Sequence, residues 1–105
     1  MTRATALLLL LGLAGCHPCV ERCRPQAATY ADCLDDWGLE WADLGASDET
    51  TFRDACERGQ GSWTDGLEGE EATIERDRCV ALRDGLRTAT TCEAAWQVLE
   101  DFGAP

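Results

Sequence analysis

Seven cysteines in 105 residues are the densest reactive chemistry in this sequence: Cys16, Cys19, Cys23, Cys33, Cys56, Cys79 and Cys92. A thiol can act as a nucleophile, a metal ligand or half of a disulfide, and its neighbours decide which. A nucleophile needs an adjacent base, and the single imidazole, His17, stands beside Cys16. A zinc cluster needs close ligand pairs. Cys19 and Cys23 have a suitable spacing, but no second close pair follows. Disulfides are the other use, and they require the oxidising compartment that an exported chain meets. An odd count then leaves one cysteine without a mate.

The carboxylates carry no sharper signal. There are 20 acidic residues against nine arginines and no lysine, for a net charge of -11. Two facing carboxylates can hydrolyse a glycoside, and a small hydrolase of that kind is the alternative to a non-catalytic role. With this many acids, however, a pair at any chosen separation is unavoidable. Asp32, Asp35, Asp36, Glu40 and Asp43 form one cluster and Asp65, Glu68, Glu70 and Glu71 another. Neither has the alternating aspartates and closing glutamate of a calcium loop. The charge excludes a phosphate-backbone partner, which requires an electropositive surface. No catalytic residue, metal or cofactor is therefore assigned.

The N-terminus explains the odd cysteine. Arg3 is followed by an uncharged run over residues 4–15, including five consecutive leucines. That run is too short for a spanning helix, which needs roughly 20 apolar residues. It has the form of a secretory signal. Its last four residues, Leu13-Ala14-Gly15-Cys16, resemble the lipobox of bacterial lipoproteins at every position. The resemblance covers residues 1–16 only. It implies cleavage after Gly15, a diacylglycerol thioether on Cys16 and, usually, acylation of the new amino group. Residues 1–15 are then the signal peptide and 16–105 the mature domain. Two or more acyl chains give stable anchoring. Loss of Arg3 adds one negative unit to the charge, so anionic headgroups repel the protein surface and the lipid alone is expected to hold it. By analogy with Gram-negative sorting, His17 rather than aspartate after the lipidated residue favours the outer membrane. The partners implied are membrane lipid through Cys16 and an envelope protein or glycan.

With Cys16 set aside, Cys19, Cys23, Cys33, Cys56, Cys79 and Cys92 form an even set for three bridges. Nine residues separate Cys23 from Cys33. That spacing resembles one half of the paired-cysteine helical hairpin proteins of mitochondria; the second such pair is missing, since twelve residues separate Cys79 from Cys92.

The elements that must hold these cysteines read as helices, because valine and isoleucine are scarce and no alternating run occurs. Pro25 suits a first helical turn, and Ala27, Tyr30, Cys33, Leu34 and Trp37 make a stripe that Gly38 ends. Whether residues 18–24 form a separate turn is open. Leu39, Trp41 and Leu44 follow irregularly. Ser47 or Asp48 can cap a second helix with Phe52, Ala55 and Cys56 inward and Gly59 as its end. Residues 59–66 have loop composition. Glu68, Glu70 and Glu71 open a third helix with Cys79, Leu82 and Leu86 on one face, Ile74 and Ala81 beside it. Thr90 to Glu93 fits a capping box before the stripe Cys92, Ala95, Trp96, Leu99 and Phe102. The expected fold is all-α, a disulfide-linked bundle of about four helices. Cys33 and Cys56 fall on consecutive helices, as do Cys79 and Cys92, so Cys33–Cys56 and Cys79–Cys92 are the favoured bridges. Trp37, Trp41 and Trp96 fit the core. Trp63 lies in the Gly-rich segment, either folded over the helices or projecting as a partner-binding anchor.

The mature protein, denatured without reduction, is expected to show no titratable thiol; a single reactive thiol breaks the three-bridge assignment.

Overall fold

The computed structural model describes residues 17–103. The Cys16 lipid site and the rest of the lipobox lie outside the described residues. One short helical turn, α1 (Pro18–Glu21), precedes α2 (Cys23–Trp37), a 3-10 turn (Trp41–Leu44), α3 (Glu49–Asp65), α4 (Gly69–Thr88) and α5 (Cys92–Phe102). The protein is all-α, with no strand among the described residues.

The first two helices are one rod with a break. His17 caps α1, its Nδ1 accepting from the Cys19 N–H at 3.1 Å. The break falls at Arg22, and Pro25 causes it. Proline has no N–H to give the carbonyl four residues earlier, that of Glu21. The helix resumes one residue on, with the Gln26 N–H donating to the Arg22 carbonyl at 3.1 Å. Ala27, Tyr30, Cys33 and Leu34 are buried along α2. Gly38 stops it in the left-handed region at φ 66°, and the Leu39 N–H closes back on the Leu34 carbonyl at 2.9 Å.

The core is Tyr30, Leu34, Leu82, Leu86, Ala95 and Leu99. Leu39, Trp41, Leu44 and Phe52 pack on it from the 3-10 segment and α3. Tyr30 is the centre of the aromatic cluster. Its ring meets Phe52 edge-on at 5.1 Å, Trp37 at 6.1 Å and Trp41 at 6.5 Å. Trp37 and Trp96 are half-buried and meet at 5.1 Å.

Three local expectations are corrected. Helix α3 does not end at Gly59; it runs through Gly59 and Gly61 to Asp65. Each glycine costs ~1 kcal/mol relative to alanine in a helix. Packing against α1 offsets that cost. Ala55 is exposed, not inward, while Ile74 and Ala81, beside the buried stripe, are exposed as well. The α5 cap is Thr91, which accepts from the Ala94 N–H at 3.0 Å. Glu93 is then one position too early to complete a capping box.

All six remaining cysteines are bridged, but the favoured pairs are not those formed. Cys19 pairs with Cys79, Cys23 with Cys56 and Cys33 with Cys92, at Cα separations of 4.8, 5.8 and 5.5 Å. Helix register is the reason. Helices α2 and α3 run antiparallel, with Cys23 opposite Cys56 and Tyr30 opposite Phe52. Cys33 is thus level with the start of α3, about two turns or ~12 Å from Cys56, beyond the ~7 Å limit for bridging. Helices α4 and α5 are antiparallel too. Gly85 faces Val98, and Arg78 Nη2 donates to the Phe102 carbonyl at 2.7 Å. Cys79 is therefore level with the far end of α5 from Cys92.

Gly85 is a close-approach glycine. A Cβ there would lie 2.8 Å from a Val98 methyl, whereas nothing lies within 4 Å of one at Gly59 or Gly61. Gly59→Ala and Gly61→Ala are expected to stabilise by about 0.5–1 kcal/mol each. Gly85→Ala is expected to destabilise by about 1–3 kcal/mol, and Val98→Ala in the same chain to relieve part of that loss. Denaturant melts of the four variants check both signs.

Candidate interaction surface

Relative helix direction decides what gathers at the end where the chain enters. The α1–α2 rod runs alongside α4 in the same sense: Cys19 is bridged to Cys79, Glu21 accepts from Arg83 Nη1 at 3.1 Å, and Cys33 shares a groove with Leu86. It runs opposite to α3. The last turn of α3, the connection at residues 66–68 and the first turns of α4 therefore stand at the start of α1. Helix α1 packs between α3 and α4, which scarcely touch one another. Pro18 and Cys19 are buried there, and the Cys19 sulfur lies 3.6 Å from the Glu75 carbonyl oxygen.

The two large hydrophobic side chains left exposed in the described residues are both at this end. Trp63 is 55% exposed and Ile74 53%. With Leu67, Glu71 and Glu75 they line one shallow depression. Trp63 sits on the last turn of α3, not in a loop, and it projects. The sequence singled out Trp63 but not its companions. The angular step from Cys79, Leu82 and Leu86 back to Ile74 takes it off the buried stripe, a signal that a helical wheel carries.

On the rod, in the field of Glu75, polar groups are arranged around a buried cation. Arg22 is 8% exposed. Its Nη1 donates to Gln26 Oε1, and Gln26 Nε2 donates to the Tyr30 hydroxyl at 3.1 Å. Burial lowers the Arg22 pKa from its ordinary value, partly offset by the potentials of Tyr30 and Glu75. Burial also raises that of Tyr30, against the opposing effect of the Gln26 hydrogen bond. The guanidiniums of Arg22 and Arg78 lie over the Phe102 ring, 5.3 and 4.6 Å from its centroid. Arg78 also donates to Glu75 at 3.0 Å.

These groups suit packing and recognition. The donor atoms of Cys19, Glu75 and Cys79 lie within 4.8 Å of one another, but both sulfurs belong to the bridge, which leaves one carboxylate for a cation. Hydrogen bonds hold two carboxylates below their ordinary pKa, Asp48 through the Thr51 N–H that it caps and Asp84 through its bond to Arg83. Trp96, at the far end of the rod, donates to Glu100 at 2.6 Å and flanks a shallow groove with Trp37, Asp36 and Glu93.

No family model matches this chain, and neither a curated protein nor a solved structure is significantly similar to it.

An exposed residue contributes little to stability. Trp63→Ala is expected to shift unfolding by less than ~0.5 kcal/mol, and Tyr30→Ala to cost about 3–5 kcal/mol. Comparable losses in urea melts would remove the distinction between patch and core.

Proposed function

We propose that the chain is an exported bacterial lipoprotein, anchored by acyl chains on Cys16, which serves the cell envelope as a non-catalytic interaction or structural module. The observation that carries this reading is cysteine parity joined to the lipobox. The cysteine closing Leu13-Ala14-Gly15-Cys16 is the one that the disulfide set does not need, and the other six pair completely. Disulfides of this kind persist outside the reducing cytosol, in keeping with export. The described residues contain no helix long and apolar enough to cross a membrane, so attachment by lipid is the route that this reading requires. Under Gram-negative sorting, His17 directs such a protein to the outer membrane. Its partners are then the membrane lipid and an envelope protein or glycan met by the rigid, acidic domain.

Intact-mass analysis of the protein from its producing bacterium tests the reading. The expected species begins at Cys16 and carries a diacylglyceryl group, with or without a third acyl chain. A chain retaining Met1, or one with an unmodified Cys16, overturns it. Cys16→Ser should leave the signal uncut and remove the lipid.

A further inference from the structure

We propose that the patch of Trp63, Leu67 and Ile74 seats in the headgroup region of the bilayer beside the anchor, so that the domain stands on its α3–α4 end; this deepens the lipoprotein reading and rests on it. Chain geometry carries the argument. The described domain begins at His17, whose side chain already caps α1, and Cys19 is buried and bridged. Three residues from Cys19 back to Cys16 span at most ~11 Å. A lipid on Cys16 therefore brings this end of the molecule to the bilayer, and no tether lets it stand off.

What this end presents is the second observation. The rod enters between the last turn of α3 and the first turns of α4, and there Trp63 and Ile74 are exposed. Trp37, at the other end of α2, is 14 residues of helix from Cys23. That places it about 20 Å further along the rod. Tryptophan is enriched where bilayer meets water, its ring apolar and its indole N–H able to reach polar headgroups. Leu67 and Ile74 add apolar area to the same depression.

The rim selects the lipid. Asp65, Glu68 and Glu70 are exposed on the stretch of chain that joins Trp63 to Ile74, and Glu71 and Glu75 line the depression itself. An anionic leaflet would repel them. A zwitterionic headgroup offers its ammonium to those carboxylates while the apolar side chains enter below. The expectation that lipid alone holds the domain thus applies to anionic surfaces, and the proposed contact is with zwitterionic ones.

The test uses the mature lipidated chain purified from membranes, its lipid verified by intact mass, in phosphatidylcholine vesicles with brominated acyl chains. Bromine quenches tryptophan only at short range. The wild type is expected to lose the part of its emission that Trp63→Phe lacks, and the Trp63→Phe protein to show little quenching. Replacing part of the lipid with phosphatidylglycerol at low salt is expected to weaken the effect. A lipidated, vesicle-bound protein without quenching, or with equal quenching in Trp63→Phe, overturns the seating and leaves the anchor standing. So does a Trp63 shielded by concentration-dependent self-association instead of by lipid. Stronger quenching on phosphatidylglycerol overturns the role of the acidic rim. A chain purified without lipid overturns the anchor and the seating together.

Discussion

Three sulfur–sulfur bonds join one stretch, residues 19–33, to each of the other long helices once: Cys19 to α4, Cys23 to α3 and Cys33 to α5. The rest of the architecture follows from that arrangement. A six-residue core is small for a domain of this length. Helix α3 has no fully buried residue, and it scarcely touches α4, the helix that follows it. Its position depends on Phe52 against Tyr30, on α1 packed along its second half and on the Cys23–Cys56 bridge. The bridges close sequence separations of 60, 33 and 59 residues. In the chain-entropy account each contributes on the order of 4 kcal/mol, less when loops overlap as these do. Covalent closure here does much of what a larger apolar core does elsewhere.

The polar row on α2 is the other unusual feature of the interior. Arg22, Gln26 and Tyr30 follow at four-residue steps, so they share one face and bond in sequence along it. A buried guanidinium is costly unless its hydrogen-bond donors are used. Gln26 takes one of them, and the Phe102 ring and the nearby Glu75 carboxylate stabilise the charge. The backbone break that Pro25 imposes falls at Arg22 itself. The same local event thus separates α1 from α2 and occurs at the residue that carries the buried charge.

The sequence disclosed what depends on local pattern. The α2 stripe, the Gly38 stop, the Asp48 cap and the α5 stripe all rest on spacing within one turn or two, and all are present. It hid what depends on how helices slide past one another. Cys33 and Cys56 do lie on neighbouring helices, but eight residues of register between Cys56 and the level of Cys33 forbid their union. Gly59 read as a stop, and residues 59–66 as a loop, because composition does not show α1 packing along that half of α3. Nothing local to Gly85 reveals the Val98 methyls that lie across the interface from it. Trp63 stood out by type, while Ile74 joined it only once α4 had a direction.

The shortness of the link before Cys19 has a mechanical consequence if the lipid is at Cys16. Reach away from an anchor is set by the length and flexibility of the linker, and only His17 and Pro18 lie between Cys16 and the first bridged cysteine. Tension on the lipid would pass through those residues and the Cys19–Cys79 bond into the middle of α4, and through the rod into α3 and α5. It would not peel the bundle from one end, because each long helix is held covalently at or near its point of contact with the rod. Under the proposed anchoring, such a domain would present its sides and far end, with the Trp37–Trp96 pair and the acidic faces, at a fixed height above the bilayer. Reaching across the envelope is the task for which its construction is least suited.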